Sequence, residues 1–331
     1  MYVGLDLLQI KVIFLHKNIN FFLIFDMKNA VKQIFPEKIR CIAVTAPAGF
    51  AQADKLAEAV ELLNRAVKVK SFIAERSGNT PDYLAADADD RLAMFNAAVN
   101  DPEVDMILAV RGGFGSVHIL PGIDYSTLAA RKLPVMGYSD ITALHCAMLA
   151  RKAGIPIAGS NLLQIKELLN DNLSTASHHL AMQDDFPETI LPAPRLEAVN
   201  NQAVKTIVKA PAYAANLTVL TSLCGTEFMP DFSDMILIIE DVNEPLYKID
   251  RMLEQLYLSG TLKNIKALVF GKFTGPENPT EALNRLFERF SAKLNLPCYK
   301  NFEFGHEFPM MAVNSSHTMQ ISAGLMPSIT A

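Results

Sequence analysis

Ser139 is the residue of this chain best placed to act as a nucleophile. It lies in the stretch from Leu133 to Leu149, which reads as a short buried strand, a tight turn at Gly137-Tyr138-Ser139-Asp140 and then a helix. Apolar Ile141, Leu144, Met148 and Leu149 recur at the spacing of one helical face. A hydroxyl at such a turn stands at the carboxyl edge of a sheet, beside the free N–H groups of the helix start. That is the geometry of a nucleophile elbow. The same serine would also serve as a helix N-cap, with Asp140 suiting the helix dipole. The elbow pattern G-x-S-x-G is incomplete, because position 141 is Ile. On this stretch alone capping is the commoner role, so the case for chemistry must come from elsewhere.

Serine attack needs a base to take the hydroxyl proton and a carboxylate to orient and stabilise the imidazolium. Glu240 and Asp241 close the apolar run Met235–Ile239, and Glu244 follows shortly after. His306 sits in a glycine turn, Phe304-Gly305-His306, and His118 follows another. Spacing does not choose among the three carboxylates or between the two histidines. That second turn, Arg111-Gly112-Gly113-Phe114-Gly115, ends the buried run Val104–Val110. Its glycines let backbone N–H groups approach a ligand closely. It matches neither a dinucleotide fingerprint nor a P-loop, and a glycine turn with a solvated arginine would look the same. Arg111 offers a fork of donors suited to a carboxylate, which makes Arg111 and Gly112 the substrate-binding candidates.

The elements that must carry these residues alternate between strand and helix. Ile39 to Thr45 is a strand, turned by Ala46–Gly49 and followed by a helix over roughly 51–66. Val67–Ile73 alternates as a second strand, Ala88–Asn100 is a helix, and Val104–Val110 is a third strand, apolar enough to be buried on both faces. This order predicts an α/β fold with a parallel sheet, and ligands beyond the carboxyl ends of its strands. The pattern loosens over 170–202, where Asp184-Asp185-Phe186-Pro187 and Leu191-Pro192-Ala193-Pro194 carry turn chemistry. The expected organisation is therefore an extension over 1–38, an N-terminal α/β domain over 39–169 with the serine, a linker over 170–202, and a smaller C-terminal α/β domain over 203–331. The last opens with Val204–Val208, continues through strands at Met235–Ile239 and Ala267–Phe270, and has helices from about Leu246 and over Glu281–Leu294.

Composition narrows the function classes. The chain has 331 residues, half of them hydrophobic and 20% charged, with a net charge of −5 and no basic block. This describes a globular protein of about two domains and disfavours nucleic-acid binding. Four widely spaced cysteines, with no C-x-x-C, read as free thiols of a reducing compartment. No metal-ligand spacing is visible, and neither a metal nor an organic cofactor is expected. The apolar stretches of residues 1–26 are broken by Lys11, His16 and Lys17, short of the roughly 18 apolar residues of a membrane helix. No membrane association is expected.

Together these segments resemble the LD-carboxypeptidases, or muramoyltetrapeptide carboxypeptidases. The resemblance spans roughly 39–325. It rests on Tyr83-Leu84-Ala85 with Asp90-Arg91, on Arg111–Gly115, on Gly137–Thr142 and on Asn216–Leu220 with Gly225-Thr226. It continues through Glu240–Tyr247, Ile249–Leu253 and Gly305-His306. The resemblance implies a triad of Ser139, Glu240 and His306. It also implies an oxyanion hole from the backbone N–H groups of Asp140 and Gly113, and a site between the two domains. It further implies a cytoplasmic homodimer that removes terminal D-alanine from murein tetrapeptides during wall recycling. The chain departs from the family pattern at Ala214-Ala215, usually Gly-Gly, and at Ala158-Gly159-Ser160, usually His-Gly-Pro; both bear on the substrate groove. Two alternatives stand beside this reading. One is a peptidase of the same family that cleaves peptide–nucleotide conjugates, as microcin immunity proteins do, although the chain has no Trp to stack a base. The other is a non-catalytic peptide-binding module.

Residues 1–26 read as a dispensable extension or an upstream start, with Met27 a more ordinary beginning. A chain begun at Met27 should keep both its melting temperature and its activity. A large fall in either would make those residues part of the fold.

Overall fold

The computed structural model describes residues 34–275 and 279–331, together with the backbone of two short antiparallel strands, Lys11–Ile13 and Phe22–Ile24. The reading of residues 1–26 as an extension otherwise lies outside the described residues.

Five strands of the first half form a parallel sheet: Lys68–Phe72, Cys41–Thr45, Met106–Ala109, Pro134–Gly137 and Ile155–Ala158, in that spatial order. Their register stacks Val44, Leu108, Met136 and Ile157 in one row across the sheet. That row and its neighbours pack into one apolar layer, while Ala43, Ile107 and Val135 on the opposite face belong to another. Helices therefore cover both faces, which is why four of these strands are almost continuously apolar, while the edge strand Lys68–Phe72 alternates. Burying each large side chain contributes about 1.5–3 kcal/mol, and the row extends to the strand that carries the serine. Helix Ala88–Asn100 has the expected bounds, and Ala53–Asn64 is shorter than its sequence pattern by a residue or two at each end.

The second half forms an eight-stranded mixed sheet. Its centre is parallel, Val208–Asn216, Ile236–Val242, Ala267–Thr274 and Cys298–Lys300. Thr318–Ile321 and Ser328–Thr330 add antiparallel on one side. The expected opening at Val204–Val208 is corrected: Asn201–Val204 is a short helix capped by Asn200, and the strand begins at Val208. This strand is alanine-rich and holds Pro211, a composition that disfavours strands. The proline sits where the strand changes partners, pairing with Thr318–Ile321 before it and with Ile236–Val242 after it. A missing N–H is tolerated at that junction.

The segment expected as a linker, 170–202, is built into the fold. It carries helix Asn172–Ala181, and its two-residue strands Thr189–Ile190 and Glu197–Ala198 form the two edges of the larger sheet. In the other direction, Val313–Asn314 from the C-terminal part pairs antiparallel with Ile155–Ala158 and closes an edge of the first sheet. The two halves are thus cross-stitched. All four cysteines are free thiols. Among the described residues no helix is long and apolar enough to cross a membrane.

Candidate active site

Ser139 sits between strand Pro134–Gly137 and helix Ile141–Ala150 with φ +64°. That left-handed conformation is unfavourable for a residue with a Cβ and persists only when its surroundings enforce it. Here the enforcement comes from the Arg111–Gly115 turn. A Cβ placed on Gly112 would fall 2.7 Å from Ser139 Cβ, 2.9 Å from Ser139 Oγ and 3.2 Å from the Asp140 nitrogen. Gly112 is glycine because the serine occupies that space. Gly113 has φ +116° and packs on Gly49, whose N–H donates to the Gly112 carbonyl at 3.2 Å. The far end of the turn is tied to the serine loop as well. Asp140 Oδ2 accepts from the Ser116 N–H at 2.9 Å, and Ser116 Oγ donates to the Asp140 carbonyl at 2.7 Å. Among the described residues no acceptor is bonded to the backbone N–H of Gly113 or of Asp140.

Of the two histidines left open by spacing, His306 reaches the serine. Its Nε2 lies 3.1 Å from Ser139 Oγ and its Nδ1 lies 2.8 Å from Glu240 Oε2. His118 instead turns Nδ1 toward Arg91 and sets its ring against Phe114. His145 and His178 are buried structural residues. The His306 ring packs on Tyr138 at 4.9 Å between centroids. Its loop is held by Lys272, whose Nζ pairs with Glu303 at 2.6 Å and donates to the carbonyls of Glu307 and Pro309. Gly305, with φ +152°, lets the loop cross Lys272 closely, since a Cβ there would come within 2.7 Å of Lys272 Cβ.

Glu240 is wholly buried. Asn216 Nδ2 donates to Glu240 Oε1 at 3.1 Å and to Asp241 Oδ1 at 3.2 Å, while Asn216 Oδ1 caps the helix Leu217–Ser222. Asp241 has its own set of donors, the Thr218 N–H and hydroxyl, the Val242 N–H and Asn216. Burial pushes its carboxyl above the usual range against those donors. Glu244 pairs with Lys248. For His306, burial favours the neutral ring, but the Glu240 hydrogen bond and the charges of Glu240 and Asp241 outweigh it. The net shift of the imidazole is upward.

Arg111 is exposed, donates from Nη1 to the Phe50 carbonyl at 3.1 Å, and pairs with no carboxylate among the described residues. It lines a cleft of about 440 Å³ with Gly113, Phe50, Tyr83 and Phe114. Among the described residues no group of three or more His, Cys, Asp or Glu side chains could hold a metal ion. Ala214 and Ala215 are buried, paired with Ile238 and Ile239, and buried Ser160 donates its N–H to His178 Nε2. Sequence reasoning gave no role to Asn216, Tyr138 or Lys272. The Asn216-Leu217-Thr218 start is a readable helix cap; nothing local marks Lys272.

The fold and site define a two-domain α/β protein that brings a serine, a histidine and a buried glutamate into one hydrogen-bonded line. Models of the LD-carboxypeptidase N-terminal domain and C-terminal domain match residues 42–159 and 209–321. A probable murein peptide carboxypeptidase of Bacillus subtilis is 32% identical over 82% of this chain and 85% of its own length. The crystal structure of muramoyltetrapeptide carboxypeptidase from Oxalobacter formigenes superposes with a TM-score of 0.75 at 25% identity, covering 87% of this chain and 97% of that one. The microcin C7 self-immunity protein MccF of Escherichia coli is 25% identical over 81% of this chain and 86% of its own. The chain belongs to the LD-carboxypeptidase family.

Gly112→Ala tests how tightly the turn grips the serine. Its φ is ordinary, so the obstacle is the serine and not the backbone. The variant should fold while kcat/KM falls by about 10² or more, the scale of a lost oxyanion donor. Wild-type kinetics in a folded Gly112→Ala protein would mean that the turn yields freely.

Proposed function

We propose that this chain is a serine carboxypeptidase that removes the terminal D-alanine of murein tetrapeptides. The observation that carries the reading is the unbroken line from buried Glu240 through His306 to Ser139, at 2.8 and 3.1 Å. In the mechanism it supports, His306 Nε2 takes the proton as Ser139 Oγ attacks the carbonyl at the L-configured centre that precedes D-alanine. Glu240 holds the Nδ1–H and stabilises the imidazolium. The uncommitted N–H groups of Gly113 and Asp140 receive the oxyanion. Collapse of the tetrahedral intermediate breaks the C–N bond, and His306 returns its proton to the leaving amine of D-alanine. The resulting ester on Ser139 is hydrolysed by a water that His306 deprotonates. Neither step calls for a metal or an organic cofactor.

The similarity to the Bacillus murein peptide carboxypeptidase and the Oxalobacter muramoyltetrapeptide carboxypeptidase supports a murein peptide as substrate. The similarity to MccF supports peptide–nucleotide conjugates as the second reading, and incubation with both substrate types separates the two by mass spectrometry. A non-catalytic module would release no D-alanine and would not be labelled by a fluorophosphonate at Ser139.

Ser139→Ala should lose on the order of 10⁴ or more in turnover, and His306→Ala about as much, because the serine is a poor nucleophile without its base. Combining them should add little. Activity needs neutral His306, so kcat/KM should fall as pH drops through its raised pKa. Glu240→Gln removes the charge that raises it, so the acid limb should move to lower pH as the rate falls. Near-normal turnover by Ser139→Ala would end the serine reading, and an unmoved acid limb in Glu240→Gln would remove Glu240 from it.

Arg111 is proposed to bind the free carboxylate of the terminal D-alanine or to brace the turn beside it. Arg111→Lys keeps the charge and loses the fork. Its KM should rise about tenfold or its kcat/KM fall comparably, on the scale of a charge-assisted bidentate contact. Unchanged kinetics would dismiss both roles.

A further inference from the structure

The turn that faces Ser139 rests on a buried cation outside the triad. Arg91, in the first turn of helix Ala88–Asn100, is 2% exposed. Among the described residues no carboxylate pairs with its guanidinium. It donates instead to three main-chain carbonyls: from Nε to Ala86 at 2.8 Å, and from Nη1 to Gly115 at 2.8 Å and to Pro47. Nη2 faces His118 Nδ1 at 3.3 Å. Burial lowers its pKa, while the charges of Asp140 and Asp87 oppose that shift; an arginine remains protonated regardless.

Packing alone does not explain this residue. A buried charge is costly, and an apolar side chain of similar volume fills the same space without that cost. A planar fork that reaches several carbonyls at once is what arginine adds. The three carbonyls belong to separate segments at the carboxyl end of the first sheet. Pro47 lies in the turn after Cys41–Thr45, and that turn continues to Gly49, which bonds Gly112. Ala86 belongs to the loop whose Ala85 N–H donates to the Ala48 carbonyl at 3.0 Å. Gly115 ends the glycine turn, and its own Cβ position would meet Leu84 and the Arg91 guanidinium. Arg91 therefore ties together the supports of Gly112 and Gly113.

Resting on the serine-peptidase reading, we propose that Arg91 is a positioning residue for the oxyanion hole. It fixes the glycine turn so that the Gly113 and Asp140 N–H groups converge on the developing oxyanion. Arg91 touches neither substrate nor the triad, and its effect belongs to the transition state. Its removal should therefore lower kcat more than it raises KM.

The test compares Arg91→Lys, Arg91→Gln and Arg91→Ala with the wild-type chain, each scaled to its folded fraction by circular dichroism. Lysine keeps the charge but cannot bridge three carbonyls. Arg91→Lys should lose about 10² in kcat, the scale of one oxyanion donor, with KM changed by less than about threefold. The rate of fluorophosphonate labelling at Ser139 should fall in parallel, because the phosphoryl oxygen uses the same donors. Millimolar guanidinium should restore part of the kcat of Arg91→Ala and none of that of Ser139→Ala. Wild-type kcat in Arg91→Lys, a loss confined to KM, or a loss equal to the unfolded fraction would overturn the proposal. If Arg91→Ala does not fold, the lysine and glutamine variants decide by the same kcat and labelling criteria. A wild-type protein that neither turns over nor labels would fail differently: the serine reading itself would fall, and the Arg91 role with it.

Discussion

The structure depends on keeping one short hydrogen bond between groups that belong to different sheets. Ser139 leaves the first sheet and His306 follows the second, with Glu240 on a central strand of that second sheet. The 3.1 Å separation leaves little room for sliding before the hydrogen bond is lost. The rigidity of the site is therefore a question of how the two sheets are fastened. Close to the site, the Asn216 N–H donates to Thr142 Oγ1 at 3.0 Å, linking the helix behind the serine to the end of the strand beside Glu240. Further out, Ser174 Oγ and Ser177 Oγ accept from the N–H groups of Met310 and Ala312, and Asn314 Nδ2 donates to the Ala181 carbonyl. Those bonds hold the chain just beyond His306 against helix Asn172–Ala181. The segment that looked like a linker is thus one of the fastenings.

The electrostatics of the site follow from the same arrangement. Glu240 is fully buried, and a buried carboxylate needs partners for its charge. Asn216 serves one oxygen and His306 the other. The bond that orients the imidazole is also one that keeps the carboxylate satisfied. Asp241 adds a second buried carboxyl nearby, but its own donors absorb it, so it contributes to His306 only through its charge. A single asparagine bridges both carboxylates and caps a helix, which makes Asn216 the node through which this polar cluster is joined to the backbone.

How much of this was legible in the sequence depended on the kind of signal. The elbow at Gly137–Asp140 was legible because strand, turn and helix follow one another with clear periodicity. The parallel sheet was legible because strands alternate with helices along the first half of the chain. The choice among Glu240, Asp241 and Glu244 was not legible from spacing. Strand alternation would place Glu240 and Asp241 on opposite faces, yet both are buried and Asn216 bonds both carboxyls. Only the family resemblance singled out Glu240. The 170–202 segment was misread because its strands are two residues long and lie near Pro187, Pro192 and Pro194. No periodicity can be read from two residues, and their place is set by the sheet edges they cover.

Strain and support meet at Ser139. A left-handed serine is an unstable local choice, and nothing in its own sequence compensates for it. The compensation is distributed. Gly112 gives up a side chain to let the serine in, Ser116 and Asp140 lock the two loops to each other, and Gly49 bonds the back of the turn. Each of these contacts joins residues far apart in the chain, so none can form before the sheet has brought the strand ends together. The left-handed conformation of Ser139 is thus a product of the completed N-terminal sheet, while His306 arrives on a loop fastened to that sheet from the other half of the molecule. Folding of both halves is required before the serine and the histidine can meet. In a chain with only one half folded, Ser139 and His306 therefore stay apart.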